Sequence, residues 1–243
     1  MWVRCVDCPV RSKPLFRPFT ADELKFVTEA KTGQYDIEAR AGIVEASTNG
    51  EQMFSLLAGW AFRYKSLPNG DRQILDFLLP GDLIGLQSPL VGRLKHGVIA
   101  LTPVTVCEID SGPIQQLFQA QPALAAALMQ TLLIDDERAD RRLLMLGRQR
   151  PTQRLAYLLL ELFERLEQRE AVHGDRCSLP LTYVHLADAL GLSRAQLARS
   201  LAEIKEREWA SLRGGQLQLM ARDEMAKYAV YDGSAESQKR ALI

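Results

Sequence analysis

The sequence predicts an α+β chain in three parts: an N-terminal β-roll, one long helix and a C-terminal winged helix-turn-helix. Three observations carry this. Residues 16–110 read as short strand-like runs broken by turn residues. From Pro122 to Gln149 the apolar spacing changes to alternating steps of four and three. Residues 181–219 then show two short helical patterns about Gly191 and a hairpin about Gly214-Gly215.

In the first part, SLLAGWAFRYK and RQILDFLLP are strand-like, with Phe62 and Tyr64 alternating against Arg63 and Lys65. Asn69-Gly70 between them predicts a hairpin, because both residues tolerate positive φ. Pro80-Gly81-Asp82 marks the next corner, and VIALTPVTVCEID reads as two further strands broken near Pro103. These runs predict an all-β sandwich or roll.

In the second part no Gly or Pro interrupts residues 123–146, and Ala125, Met129, Leu132, Asp136, Ala139, Leu143 and Leu146 form a heptad seam. The alternative is a helix packed on its own domain. The seam is narrow and flanked by Asp135, Glu137, Arg138, Asp140, Arg141 and Arg142, which suits a two-helix contact better than a broad core face. A dimerisation helix is expected.

The third part begins at Pro151, which fits the first turn of a helix because its missing N–H has no intrahelical partner there. Leu155, Leu158, Leu159, Leu162, Phe163 and Leu166 give that helix one wide apolar face. EQREAVHGDRCS reads as a loop. Thr182 can cap a short helix ending at Gly191, and Ser193 can cap a second. With Leu197, Leu201 and Ile204 facing inward, Arg194, Gln196 and Arg199 project outward. A helical hairpin without DNA is the alternative. Two exposed arginines at the start of the second helix favour DNA, since Arg can donate two parallel hydrogen bonds to a guanine edge. Asp188, Glu203, Glu206 and Glu208 nearly cancel the nearby cations, so placement must outweigh net charge.

Composition narrows the function. The 243 residues carry 30 Lys+Arg and 30 Asp+Glu, so no global positive field announces a nucleic-acid partner. No stretch approaches the roughly 20 apolar residues of a membrane span, and the N-terminus lacks the apolar core of a signal peptide. A cytoplasmic protein with no membrane partner is expected. An enzyme is not: His96, His173 and His185 lie in separate segments, without a nucleophile motif or Gly-rich phosphate loop.

Over residues 16–220 the chain resembles transcription regulators of the Crp/Fnr family, closer to the Fnr-like branch than to the cyclic-nucleotide-binding one. The resemblance is carried by LLAGWAFRYKSLPNGDRQILDFLLPGDLIGL, with its Gly59, Gly70 and Pro80-Gly81-Asp82 spacing, and by GLSRAQLAR. It implies a cysteine segment at 1–15, a cupin-like jelly-roll sensor domain at 16–112 and a dimerisation helix region at 113–149. A winged helix-turn-helix DNA-binding domain at 150–222 and a C-terminal tail at 223–243 complete it. The implied partners are a pseudo-palindromic double-stranded DNA operator, a second copy of the chain and RNA polymerase. The DNA-binding residues are then Thr182, Ser193, Arg194, Gln196, Arg199 and Arg213. The dimer interface is Met129, Leu132, Asp136, Ala139, Leu143 and Leu146.

Departures from the family shape the expected mechanism. Cyclic-nucleotide binders of the family carry Gly-Glu near the end of the roll and then Arg-Ser or Arg-Thr. Here GLQSPLVGRLKHG places Gln87 after Gly85-Leu86, and Leu94 after Arg93, so no cyclic nucleotide is expected. Ala195 stands where the family commonly has a base-reading Glu, so the operator should differ from the commonest half-site. Ser200 stands in a usually apolar slot. The iron–sulfur branch clusters cysteines before the roll and places one on its last strand. Cys5, Cys8 and Cys107 match, while the usual third N-terminal cysteine would fall near Pro14. These three are the candidate ligands of an iron–sulfur cluster completed by a non-standard fourth ligand, for which Asp7 is a local candidate. Cysteines without a metal are the alternative, and Cys177 is expected to be a bystander. His96 is a candidate haem ligand or a structural histidine. The expected function is a dimeric sequence-specific DNA-binding regulator sensing redox state, oxygen or a ligand. The rival is a ligand-binding or protein-interaction module with a degenerate DNA head.

Overall fold

The computed structural model describes residues 2–45, 52–86, 95–110, 112–233 and 239–242. The chain forms two compact units, one of residues 1–67, 75–133 and 238–243, the other of 68–74 and 134–237.

The first unit opens with a 3-10 turn, Cys5–Asp7, and then a helix, α1 (Ala21–Ala30), that the strand reading of residues 16–110 missed. Its start is a capping box. Thr20 Oγ1 accepts from the Glu23 amide at 3.2 Å, and Glu23 Oε2 accepts from the Thr20 amide at 2.9 Å. Arg17 grips the same carboxylate through two nitrogens, at 2.7 and 3.0 Å, and holds it below the usual carboxylate range.

The strands β1 (Lys31–Ile37), β2 (Gly42–Val44), β3 (Gln52–Ala58), β4 (Ala61–Ser66), β5 (Arg72–Leu78), β6 (Leu83–Ile84), β7 (Gly97–Ala100) and β8 (Val104–Asp110) form two sheets. Their orders are β1-β8-β3-β6 and β2-β7-β4-β5, with antiparallel pairing where the register is resolved. Phe54, Leu56, Ala61, Leu78, Val98 and Val106 pack between them, as expected of a roll. The run SLLAGWAFRYK is two strands, not one. Gly59 turns the corner at φ 81°, and a Cβ there would lie 2.2 Å from the Pro103 carbonyl oxygen. In the Asn69-Gly70 turn only Gly70 takes positive φ, while Asn69 Oδ1 accepts from the Asp71 amide at 3.1 Å.

Helices α2 (Gly112–Ala120) and α3 (Pro122–Arg148) follow. Leu117, Leu124, Ala125 and Leu128 bury against Val27, Met53 and Ile109, so the start of α3 is seated on the roll's own core. Ala125, read as part of the seam, belongs to that core.

In the second unit α4 (Pro151–Glu167) buries Leu155, Leu158, Leu159, Leu162, Phe163 and Leu166, the face read from the sequence. Residues 172–178 are not a loop. β9 (Val172–His173) and β10 (Arg176–Ser178) form a hairpin that joins the later strands β11 (Ala210–Arg213) and β12 (Gln216–Leu219) in the order β11-β12-β10-β9. Cys177 lies opposite Leu217 in that sheet, and burial with nearby Glu167 pushes its thiol up to about 11. Between the hairpins lie α5 (Tyr183–Leu190) and α6 (Arg194–Glu206). Residues 222–229, all but the first of them in the segment read as a tail, form α7 (Arg222–Ala229), which buries Met225 and Ala229. Residues 239–242 belong to the first unit, where Leu242 packs with Val10, Leu15 and Phe16.

Candidate functional site

The helix-turn-helix is set by two capping boxes and one left-handed residue. Thr182 Oγ1 accepts from the His185 amide at 3.3 Å, and His185 Nδ1 accepts from the Thr182 amide at 3.2 Å. Gly191 ends α5 at φ 60°, a conformation a side chain makes costly. Two residues later Ser193 caps α6: its Oγ accepts from the Gln196 amide at 3.3 Å, and Gln196 Oε1 accepts from the Ser193 amide at 2.9 Å. Gln196 is therefore half-buried with its carbonyl committed, and only its NH2 remains for a base.

Arg194, Arg199 and Arg213 are exposed, as are Thr182 and Ser193. Arg213 lies beside the Gly214-Gly215 turn of the wing, paired across the strands with Gln216. Two of the four acids that offset the reading head's cations are absorbed inside the unit. Asp188 meets Arg72 at 2.6 Å, and Glu203 accepts from Thr152 at 2.7 Å, Arg207 at 3.0 Å and Tyr228 at 3.3 Å. Arg194 and Arg199 form no ion pair among the described residues. Ser200 gains a reason here: it is buried 3.2 Å from the Thr152 hydroxyl, a polar pair joining α4 to α6. Tyr183 and Val184, on the first turn of α5, are exposed large side chains beside Thr182 that the sequence reading did not single out.

On α3 the single chain leaves Met129, Leu133, Leu143 and Leu144 exposed, together with Asp136 and Ala139. Leu132 leans into the chain's own core and Leu146 is half-buried, so the open stripe is turned slightly from the heptad seam.

The three N-terminal and roll cysteines converge. Cys5, Cys8 and Cys107 line one small cavity with Arg11, Lys31 and Ser55. The segment bearing Cys5 and Cys8 is stapled to β1: the Val3 amide donates to Gln34 Oε1 at 3.0 Å, and Lys31 Nζ donates to the Val3 carbonyl at 2.6 Å. Burial pushes the Cys107 thiol up, while the Lys31 ammonium pulls it back. Burial also lowers the pKa of Arg11, and the three thiols oppose it. Arg11 stacks over Phe19 at 4.2 Å, and its Nε and Nη1 are buried without a hydrogen-bond partner. Asp7 is elsewhere: it pairs with Arg4 at 2.6 Å, is half-exposed, and does not line the cavity. Among the described residues no group of three or more His, Cys, Asp and Glu is already drawn together as a metal cage. Arg11, Lys31 and Ser55 carry no motif, so the sequence reading passed over them.

His96 is buried, and desolvation with Arg63 and Lys65 nearby lowers its pKa from 6.5 to about 4. The unfolded chain binds this proton below about pH 6.5, the folded chain only near pH 4. Its contribution is therefore intact above that range and falls by about 1.4 kcal/mol per pH unit as pH drops through it. Denaturant titrations at pH 7 and pH 5 should show this loss, and His96→Gln should remove it. Gln87, Arg93 and Leu94, on which the expectation of no cyclic nucleotide rests, lie outside the described residues. No helix among the described residues is long and apolar enough to cross a membrane.

Comparison with known proteins agrees with this geometry. The family described as a cyclic nucleotide-binding domain matches residues 36–121, and the Crp-like helix-turn-helix domain matches residues 153–228. The nitrogen fixation regulation protein FixK of Bradyrhizobium diazoefficiens is 27% identical over 201 residues, 83% of each chain. The transcriptional activator protein FnrL of Cereibacter sphaeroides is 26% identical over 214 residues, 87% of this chain and 85% of FnrL. The solved structure of FixK2 from Bradyrhizobium japonicum shares the fold, with a TM-score of 0.73 at 23% identity over 81% of this chain and 96% of that one. A roll, a long helix and a winged helix-turn-helix in this order, with these relatives, place the chain in the Crp/Fnr family of DNA-binding transcription regulators, on its Fnr-like branch.

Proposed function

We propose that this regulator works as a homodimer whose grip on DNA is set by an oxygen-labile iron–sulfur cluster held by Cys5, Cys8 and Cys107. Arg11 is the observation that carries the reading. Two nitrogens of its guanidinium, Nε and Nη1, are buried without a protein partner beside the three thiols, and an anion placed there would accept from them. Three thiolates around bound iron are such an anion, and Lys31 adds a second positive charge beside Cys107. Three sulfur donors beside two cations are the chemistry such a group takes, but the thiols are not gathered as a metal cage among the described residues. Space must be made, because the cavity holds about 20 Å³, room for one water. Segment 2–16 would have to ride outward. When bound, such a cluster supplies a redox-active and oxygen-reactive centre.

The chain's own residues offer a route from that centre to the long helix. Val27 and Ile109 line the thiol cavity and also belong to the core on which Leu124, Ala125 and Leu128 of α3 sit. Moving segment 2–16 presses on this shared wall. The exposed stripe at Met129, Leu133, Leu143 and Leu144 is the surface a second copy would cover, with Ala139 between. An effector other than a cyclic nucleotide follows from Gln87 and Leu94 in the nucleotide-holding positions.

Asp136 opposes the dimer. Two carboxylates brought together in a partly buried contact repel and lose water. Arg138 and Arg142, two cations of the same helix, are engaged in their own chain by Asp135 at 2.8 Å and Glu161 at 2.6 Å. Asp136→Leu should therefore strengthen self-association even without iron, by about 5- to 30-fold for a gain of about 1–2 kcal/mol. Sedimentation equilibrium reads this, and an unchanged association constant would take Asp136 out of the mechanism. For the whole proposal, anaerobic reconstitution with iron and sulfide, followed by metal analysis and a DNA-binding titration, is the test. Protein that takes up no iron would contradict the cluster.

A further inference from the structure

Segment 2–6 and α1 line a second, larger pocket of about 670 Å³, in the size range that holds a small organic molecule. Much of its lining is apolar. Val3, Ala21 and Leu24 contribute, and so do Trp2 and Val6, large side chains that the chain leaves 56% and 63% exposed. Its charge is one-sided, with Arg4, Lys25 and Lys31 set against the single carboxylate of Glu29. Arg4 is engaged by Asp7 at 2.6 Å. The Lys25–Glu29 pair is 3.9 Å apart with both side chains well exposed, so it contributes little and yields to a better partner. Lys31 meets no carboxylate among the described residues. Its ammonium donates to the Val3 carbonyl at 2.6 Å and lies 5.2 Å from the Trp2 ring centroid, which ties the segment to β1 beside the pocket. Val3, Cys5 and Lys31 also line the thiol cavity, so the two cavities share a wall.

We infer that this pocket binds a small amphipathic carboxylate, its apolar body against Trp2, Val6 and Leu24 and its head on Lys25 and Lys31. The apolar lining supplies the affinity and the two ammonium groups select the anion. A molecule seated there holds segment 2–6 in place and so keeps the thiols covered. The site stands apart from the cluster reading, because the chain forms it without iron.

The test titrates the full chain, without iron, with decanoate, with 2-naphthoate and with 1-decanol as the neutral control. Trp60 and Trp209 are already buried, so a shift of tryptophan emission on binding comes from Trp2. Both acids should move the emission to shorter wavelength, and the tighter of them names the body as chain or ring. 1-Decanol should bind about tenfold or more weakly. Trp2→Phe should remove the shift while calorimetry still records binding. Lys25→Glu should weaken both acids about tenfold, and Leu24→Glu should abolish their binding. Circular dichroism checks folding, and if Leu24→Glu misfolds, the exposed Lys25→Glu decides alone. Saturating decanoate should also slow alkylation of Cys5 by iodoacetamide, and an unchanged rate overturns the link to the thiols. No binding of either acid, or 1-decanol binding as tightly as decanoate, overturns the inference. Emission that shifts with protein concentration alone would give the pocket to a second copy of the chain and overturn it too.

Discussion

Arg199→Ala should weaken binding to a two-fold operator by about 2–6 kcal/mol, because a dimer loses the contact twice and each base-reading arginine is worth about 1–3 kcal/mol. The same is expected of Arg194→Ala. Both side chains are exposed and unpaired with acids among the described residues, so their loss removes little from the fold. In the free chain Arg199 Nε rests 3.4 Å from the Ala195 carbonyl, a weak contact that DNA can replace. Thermal unfolding should be nearly unchanged while affinity drops by a factor of about 30 or more. Arg213→Ala, beside the wing turn, should act differently. Losing a phosphate contact there would weaken binding alike on all sequences and flatten the salt dependence. Fluorescence anisotropy on a site selected from random DNA, at two or more salt concentrations, separates these cases. Parent-like affinity in Arg194→Ala or Arg199→Ala would show that the residue makes no important contact.

Cys107→Ala should abolish iron uptake and leave the protein folded. The side chain lost is small, so the cost in stability is about 1 kcal/mol, well inside the margin of a domain this size. The cost to the cluster is total, since Cys5 and Cys8 come from one turn and cannot close a site alone. Cys177→Ala should leave iron uptake intact, because that thiol is packed in the wing sheet of the other unit. Iron retained by Cys107→Ala at the parent's level would remove the roll strand from the site.

Much of this was readable in the chain. Thr182, Gly191 and Ser193 act through local chemistry, a cap, a left-handed turn and a second cap, so the residue types alone placed the helix-turn-helix. The face of α4 followed from its period. The misreadings share a cause, which is that local pattern was outweighed by something else. Thr20-x-x-Glu23 is a capping signal, but it sits among residues that also suit strands. The hairpin at 172–178 is polar and gains its strand character only by joining the wing. The tilt of the exposed stripe on α3 reflects burial of Ala125 and Leu132 against the roll, which no heptad count reveals. Ser55 meets Cys107 only through strand register, and Thr152 meets Ser200 across 48 residues of sequence. Arg11 was legible as a charge, but its burial beside three thiols was not.

The most direct test is the operator affinity of the iron-loaded dimer measured before and after oxygen is admitted, with iron followed in the same sample. The expected result is a fall in affinity that tracks the loss of iron, together with a shift toward monomer. Affinity that stays constant while the iron leaves would contradict the account.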